Sequence, residues 1–192
     1  MSNVILSKHP ILAEKICRLR DKNTNYREFR SLVDEISSML LYEASFDLEL
    51  VKSGTLESPV SSYENYVIKP KIALVPIMRS GIQMTPAAQT FFSEACVYHL
   101  GLFREQASLE PIEYYNKLPQ TCNVEVAMIL EPIIATGGTA NAAISILKDW
   151  GVKNIKFLCL CASSEGLARV SQQHPDVRFY IACKDQDLSP TG

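Results

Sequence analysis

The sequence predicts an α/β fold, a doubly wound and mostly parallel sheet preceded by a helical N-terminal arm. The first 50 residues carry apolar side chains at helical spacing. From residue 71 onward, short continuous apolar runs alternate with helical stretches, and such runs are typical of strands buried on both faces of a parallel sheet. We therefore expect a single domain over residues 1–192, with the arm at 1–50 and the α/β core at 70–187.

The composition is that of a folded domain. The chain has 192 residues, of which 47% are hydrophobic and 21% charged, and this excludes a mostly disordered protein. A net charge of -2 gives no overall positive field, so we expect neither a nucleic-acid partner nor a membrane partner. The apolar runs are far shorter than the roughly 20 residues that cross a bilayer, and the N-terminus lacks a secretory signal pattern. These features predict a cytoplasmic protein.

Two helices are predicted in the arm. The first covers residues 9–20, where apolar side chains recur on one face. The second covers residues 25–46, and Asn25 with Glu28 forms a capping box at its start. Residues 52–66 are rich in turn-forming residues and predict a loop or a short hairpin before the core.

Five short apolar runs predict the strands of the core. Helical spacing follows two of them: one helix covers residues 139–150 and stops at Gly151, and another begins at Ser163 or Ser164 and ends near Gln173. Strands that alternate with helices build a parallel sheet covered on both faces. The predicted strands cover residues 72–77, 97–103, 124–130, 155–162 and 177–182.

A glycine-rich turn between a strand and a helix predicts a phosphate site. The strand at 124–130 leads into Glu131, a short loop and then residues 136–139, which read T-G-G-T. Glycines let the backbone approach a ligand closely, threonine hydroxyls can donate to phosphate oxygens, and a helix N-terminus adds oriented N–H groups. Ligands of open α/β sheets collect at the carboxyl ends of the strands. An anion is therefore expected at this turn.

The same four residues are also compatible with a plain strand-to-helix connection capped by a threonine. Two common nucleotide motifs are absent from the sequence, since it contains no GxxxxGK[ST] and no GxGxxG after a strand. Their absence argues against a P-loop ATPase and a Rossmann dehydrogenase. The six cysteines and three histidines have no metal-ligand spacing, so no metal site is predicted.

Residues 131–139 resemble the phosphoribosyl pyrophosphate (PRPP) motif of type I phosphoribosyltransferases. They read E-P-I-I-A-T-G-G-T, and the form of the motif in uracil phosphoribosyltransferases is D-P-M-L-A-T-G-G-S. The segment P-I-M-R-S-G at residues 76–81 is similar to that family's P-I-L-R-A-G, and Arg104 with Glu110 and Pro111 is similar to its Y-R-x-x-x-x-x-E-P region. The similarity extends through the arm and to about residue 187, so it covers nearly the whole chain.

The resemblance implies transfer of ribose 5-phosphate from PRPP to uracil, which gives UMP and pyrophosphate. The candidate catalytic residues are Glu131, whose carboxylate would accept hydrogen bonds from ribose hydroxyls, and Arg79 and Arg104, which would bind the pyrophosphate group. Mg²⁺ would come with PRPP rather than occupy a dedicated protein site. The candidate PRPP-binding residues are Arg79, Arg104, Glu131, Pro132, Ile133, Ile134, Ala135, Thr136, Gly137, Gly138 and Thr139.

Tyr114, Tyr115 and Lys117 lie in a polar stretch that resembles the flexible hood over PRPP in this family. Aromatic and basic side chains on such a lid can exclude water from a site. A surface hairpin with ordinary tyrosines is an equally good interpretation of the stretch. The resemblance also implies a homodimer or homotetramer, with GTP as an effector.

Two departures from the family pattern bear on activity. Glu131 stands where the family has aspartate, which adds one methylene group between backbone and carboxylate. After Gln186 the chain reads D-L-S-P-T-G and departs from the family segment that binds uracil, so no uracil-binding residue is predicted and that segment is expected to be missing. An impaired enzyme and a noncatalytic PRPP- or nucleotide-binding homologue with a regulatory or scaffolding role both remain open. A pyrimidine-operon regulator fits the arm less well.

Overall fold

The computed structural model describes residues 3–105 and 111–186, apart from the side chain of Arg104. In the arm, α1 (Pro10–Leu19) and α2 (Tyr26–Ser45) form as predicted. The Asn25 side chain accepts hydrogen bonds from the backbone N–H groups of Arg27 and Glu28, at 3.1 and 3.0 Å. This cap satisfies donors that the first turn of α2 would otherwise leave without partners.

The core is one mostly parallel sheet, built from the strands β1 (Val4–Leu6), β4 (Ile72–Met78), β5 (Cys96–Val97), β6 (Leu100–Arg104), β7 (Pro111–Asn116), β8 (Val126–Leu130), β9 (Ile133–Ile134), β10 (Asn154–Ser163) and β11 (Arg178–Asp185). Their order is β1-β11-β10-β8-β4-β6-β7, in which neighbouring strands are parallel except for β7, which runs antiparallel to β6, and the two short strands β5 and β9 pair with β4 and β10. The predicted fold class is therefore confirmed.

Helices cover both faces of this sheet. Alternate side chains of β4 point to opposite sides: Val75 packs in the cluster that contains α4 (Gly138–Trp150) and α5 (Ser164–Gln173), and Leu74 packs in the cluster of the arm. A short helix, α3 (Thr85–Phe91), joins the arm side. At the end of α4, Gly151 adopts the left-handed conformation with φ 104°, as expected for a glycine that ends a helix.

The structure also contains elements that the sequence did not predict. Residues 52–66, predicted as a loop or short hairpin, belong to a longer hairpin of β2 (Leu50–Glu57) and β3 (Ser62–Ile68). The predicted strand at 97–103 is divided into β5 and β6, which pair with opposite ends of β4. The strand β1, with only three residues, is too short to give a pattern of its own, and it forms because β11 offers a parallel partner.

One charged side chain lies inside the apolar run of β10. Lys156 is fully buried, and its ammonium group donates to the Ala44 carbonyl oxygen at 2.6 Å and pairs with the carboxylate of Asp47. Burial of a charge is costly unless the charge is paired and hydrogen-bonded. The pair joins the end of α2 to the centre of the sheet and thereby attaches the arm to the core.

Within residues 3–105 and 111–186, no helix is long and apolar enough to cross a membrane.

Candidate active site

A cavity of about 920 Å³ opens at the carboxyl ends of β4, β6 and β8. This is the edge at which open α/β sheets bind ligands, and the volume lies in the usual range for small-molecule sites. The lining residues are Ile77, Met78, Arg79, Ser80, Leu102, Phe103, Tyr114, Glu131, Ile133, Ile134, Ala135, Thr136, Gly137, Gly138, Thr139 and Ala140.

The floor of the cavity is the turn that leads from β9 into α4. Gly137 has φ 82°, and a Cβ atom at this position would lie 2.5 Å from Val170 Cγ2 and 2.9 Å from the Gly166 carbonyl oxygen. Gly137 is therefore required by backbone conformation and by packing against α5. A Cβ atom on Gly138 would approach only Thr136 Oγ1, at 3.9 Å. The open space that the sequence predicted for a ligand is thus above Gly138.

The N-terminus of α4 faces this space. Its first intrahelical hydrogen bond runs from the Asn141 N–H to the Gly137 carbonyl oxygen at 2.9 Å. The N–H groups of Gly138, Thr139 and Ala140 precede that bond and have no carbonyl partner inside the helix. Together with the helix dipole they favour an anion. The predicted connection capped by a threonine does not form, since the residue at the N-cap is Gly137.

Glu131 lines the same cavity as this turn. The residue is only 7% exposed, and Oε1 accepts a hydrogen bond from Ser80 Oγ at 2.7 Å. Burial raises the pKa of the Glu131 carboxyl to about 7, against the opposing effect of hydrogen bonds from Ser80 and from the backbone N–H of Ile133. The carboxyl group therefore changes charge close to neutral pH, which is a property of many catalytic acids and bases.

The two candidate arginines follow strands on this side of the sheet. Arg79 comes directly after β4, is exposed and lines the cavity. Arg104 ends β6, and its side chain lies outside the described residues. Because β6 pairs with β4 in parallel, both residues leave the sheet at its carboxyl edge.

The predicted lid residues belong to the β6–β7 hairpin. Tyr114 lines the cavity with Phe103, and their ring centroids are 6.0 Å apart. Tyr115, the next residue on β7, does not line it, and the ammonium of Lys117 lies 6.0 Å from the centroid of the Tyr115 ring. The register of β6 and β7 shifts between Gly101 and Leu102, so Tyr114 is the extra residue of a β-bulge, a feature that redirects side chains beside many sites. Tyr114 is thus the lid candidate that faces the cavity.

Most of the predicted PRPP-binding residues line this cavity, but Pro132 does not. The carbonyl oxygen of Pro132 accepts hydrogen bonds from the backbone N–H groups of Leu160 and Cys161, at 3.1 and 3.0 Å, so this residue attaches the loop to β10. Sequence reasoning missed Ser80 as a site residue. Its signal was present, because serine interrupts the R-A-G pattern beside a candidate arginine.

The described residues, 3–105 and 111–186, contain no group of three or more His, Cys, Asp or Glu side chains that could hold a metal ion. In this described part of the chain, Glu131 is the one carboxylate that lines the cavity.

Solved structures with the same fold define the class. A protein from Aquifex aeolicus has a TM-score of 0.90 and 27% identity, over 98% of this chain and 90% of its own. The adenine phosphoribosyltransferase of Trypanosoma brucei, solved with AMP, pyrophosphate and ribose 5-phosphate, has a TM-score of 0.62 over the whole chain, at 11% identity. With the cavity described above, the fold is that of a type I phosphoribosyltransferase.

The family follows from the sequence comparisons. The family model described as uracil phosphoribosyltransferase matches residues 6–192. Uracil phosphoribosyltransferases of Roseiflexus castenholzii and Mesoplasma florum are each 42% identical, over 100% and 96% of this chain and over 92% and 89% of their own lengths. The chain belongs to the uracil phosphoribosyltransferase family. These comparisons give no support to the expected loss of a C-terminal segment or to a noncatalytic role, and residues 187–192 lie outside the described part of the chain.

Proposed function

We propose that this protein transfers ribose 5-phosphate from PRPP to uracil, giving UMP and pyrophosphate. The observation that supports the proposal is that one cavity is lined by the glycine-rich turn at residues 136–139 (the phosphate cradle), by the buried carboxylate of Glu131 and by the exposed Arg79. That arrangement occurs in a chain whose relatives bear the name of this activity.

The cavity suggests how PRPP would bind. The 5′-phosphate would rest above Gly138, on the free N–H groups of α4, with the Thr136 and Thr139 hydroxyls as further donors. The ribose hydroxyls would donate to Glu131. The pyrophosphate would bind Arg79 at the edge of the cavity, and Arg104 from the end of β6.

Catalysis in this arrangement is mainly electrostatic. As the bond between C1 of the ribose and pyrophosphate lengthens, positive charge develops on the ribose and negative charge on the leaving group. The Glu131 carboxylate stabilises the first and the guanidinium of Arg79 the second. Tyr114 and Phe103 provide an apolar wall that excludes water from the cation-like ribose.

Several finer points belong to the same proposal. Mg²⁺ would accompany PRPP as part of the substrate complex and neutralise charge on the pyrophosphate. This fits the single carboxylate of the cavity, which by itself makes no dedicated metal site. A cytoplasmic location remains a prediction from the sequence pattern, and a homodimer or homotetramer and GTP as an effector remain predictions from the resemblance.

The direct test is formation of labelled UMP from labelled uracil, PRPP and Mg²⁺ by the purified protein. Reactions with adenine or hypoxanthine in place of uracil serve as controls for base specificity. Formation of UMP at a rate that saturates with both substrates supports the proposal. Saturable PRPP binding without UMP formation would instead favour a noncatalytic PRPP-binding protein.

Arg79→Ala is expected to weaken PRPP binding more than UMP binding, because only PRPP carries the pyrophosphate group. Loss of a charge-assisted hydrogen bond commonly costs about 1.5–3 kcal/mol, roughly a 10- to 150-fold rise in Kd. Calorimetry with both ligands measures the difference. Arg27→Ala, at an exposed arginine in the first turn of α2, is the matched control. Equal losses for PRPP and UMP in Arg79→Ala would contradict the assignment of this arginine.

A further inference from the structure

We propose that Ser80 is a positioning residue for Glu131, so that serine and glutamate together perform what alanine and aspartate perform in the motifs this chain resembles. The inference rests on the proposed function, because it concerns the carboxylate assigned to the ribose. The observation behind it is that Ser80 and Glu131, which stand where the quoted motifs have alanine and aspartate, form one hydrogen bond, from Ser80 Oγ to Glu131 Oε1 at 2.7 Å.

The fold brings these two residues together. Ser80 follows the end of β4 and Glu131 follows the end of β8, and the two strands are parallel neighbours with Pro76 beside Leu130. A Cβ atom on Gly81 would lie 2.1 Å from the Leu130 carbonyl oxygen. The backbone after β4 therefore lies directly against the end of β8, and Ser80 is held beside the carboxylate.

A glutamate needs this partner more than an aspartate would. Its side chain has one additional rotatable bond, so its carboxylate has more orientations to lose when it becomes ordered. In a site where about an ångström of misplacement costs rate, orientation by the protein is part of catalysis. The hydroxyl of Ser80 and the backbone N–H of Ile133 are the donors that hold the Glu131 carboxylate.

The same hydrogen bond affects the charge of the carboxylate. Among the described residues, the other titratable groups that line the cavity with Glu131 are Arg79 after β4 and Tyr114 on β7, and the Cys159 thiol on β10 also interacts with its carboxylate. Burial raises the pKa of the Cys159 thiol well above its usual value, so this thiol stays neutral. Burial also raises the pKa of Glu131 to about 7 even with Ser80 in place. Without the serine hydroxyl this pKa rises further, and the carboxyl is protonated at neutral pH.

The direction of the pH effect follows. Activity requires the charged form of Glu131, so kcat/KM rises with pH through the pKa of this group. In Ser80→Ala we expect the acid limb of the profile to move up by about one pH unit, which is about a tenfold loss at pH 6 and little loss at pH 9. Ser80 is exposed, so removal of its hydroxyl opens no buried cavity.

A matched control is available in α2. Ser31 Oγ donates to Glu35 Oε1 at 2.9 Å, so Ser31→Ala also removes a serine–glutamate hydrogen bond, but outside the cavity. This variant should leave the acid limb unchanged. Because the two residues act as a pair, Ser80→Ala should cost less in a Glu131→Asp background than in the original chain. An unmoved limb in Ser80→Ala, a loss that is equal at all pH values, or additive effects of the two substitutions would each overturn the proposal.

A second measurement separates this inference from the proposed function. The carboxyl of Glu131 can be titrated by NMR in the ligand-free protein with ¹³C-labelled glutamate, and its signal assigned by its absence in Glu131→Gln. A higher pKa in Ser80→Ala supports the role of Ser80 whether or not UMP is formed. An unchanged pKa refutes it even in an active enzyme, whereas absence of UMP formation by the original chain refutes only the proposed function.

Discussion

Glu131→Gln is expected to lower kcat/KM for UMP formation by about 10²–10³-fold, the usual effect of removing one preorganised electrostatic group. The amide has nearly the same shape as the carboxyl group, and its oxygen can still accept the hydrogen bond from Ser80, so the main change is the loss of the negative charge and of one acceptor oxygen. The cation-like ribose then lacks its counter-charge. Steady-state kinetics between pH 6 and 9 measure the effect.

The pH profile of Glu131→Gln provides an internal control for the role of this carboxyl group. With no carboxyl group at position 131, the acid limb that belongs to a pKa of about 7 should disappear. The thermal unfolding midpoint should not fall, because a neutral amide is easier to bury than a carboxylate. Activity within threefold of the original chain, with the acid limb retained, would show that another group stabilises the ribose.

Gly137→Val and Gly138→Val are expected to differ sharply in stability, although both remove a glycine from the phosphate cradle. At Gly137 the β-branched side chain would be forced into a left-handed conformation and against Val170 and Gly166. Such strain and overpacking commonly cost about 2–5 kcal/mol of unfolding free energy. At Gly138 there is room for the Cβ atom, so the fold should lose less than about 1 kcal/mol.

PRPP binding distinguishes the two variants further. The side chain of Gly138→Val would enter the space assigned to the 5′-phosphate, and we expect at least about a tenfold rise in Kd for PRPP, equivalent to about 1.4 kcal/mol. Chemical denaturation gives the stability of each variant, and calorimetry gives the affinity. Full PRPP affinity in a stable Gly138→Val protein would move the phosphate away from α4.

Local signals explain what could be predicted from the sequence. The cap of α2 needs only Asn25 and the residues that follow it, and continuous apolar runs identify strands covered on both faces. The glycine pair after Glu131 predicted the turn that opens α4, because glycine tolerates the left-handed conformation that Gly137 adopts there. These features depend on neighbours in the chain, and the structure agrees with them.

Other features depend on contacts between distant residues. The hydrogen bond of Ser80 to Glu131 joins positions 51 residues apart, and Lys156 meets Asp47 across 109 residues. The sequence could not distinguish the roles of Gly137 and Gly138 either, because only Gly137 packs against Val170 and Gly166, which lie on another helix. For the stretch of β7 the sequence left a lid and a surface hairpin open and gave no strand bounds, because its polar and aromatic residues have no strand pattern until β6 supplies a partner.

The contact between the phosphate cradle and α5 also determines which parts of the cavity can change by substitution. The Ala135 carbonyl oxygen accepts a hydrogen bond from Ser163 Oγ at 2.5 Å, and a Cβ atom on Gly166 would lie 2.1 Å from the same oxygen. Main-chain atoms of two turns are in contact there, so a side chain added at Gly166 would meet backbone that cannot move aside, and one added at Gly137 would meet both Val170 Cγ2 and the Gly166 carbonyl oxygen. After gene duplication, both copies would therefore keep this wall of the cavity unchanged. Substitutions that reshape the cavity would be tolerated better at Phe103 and Tyr114, which line it with side chains that are about half exposed.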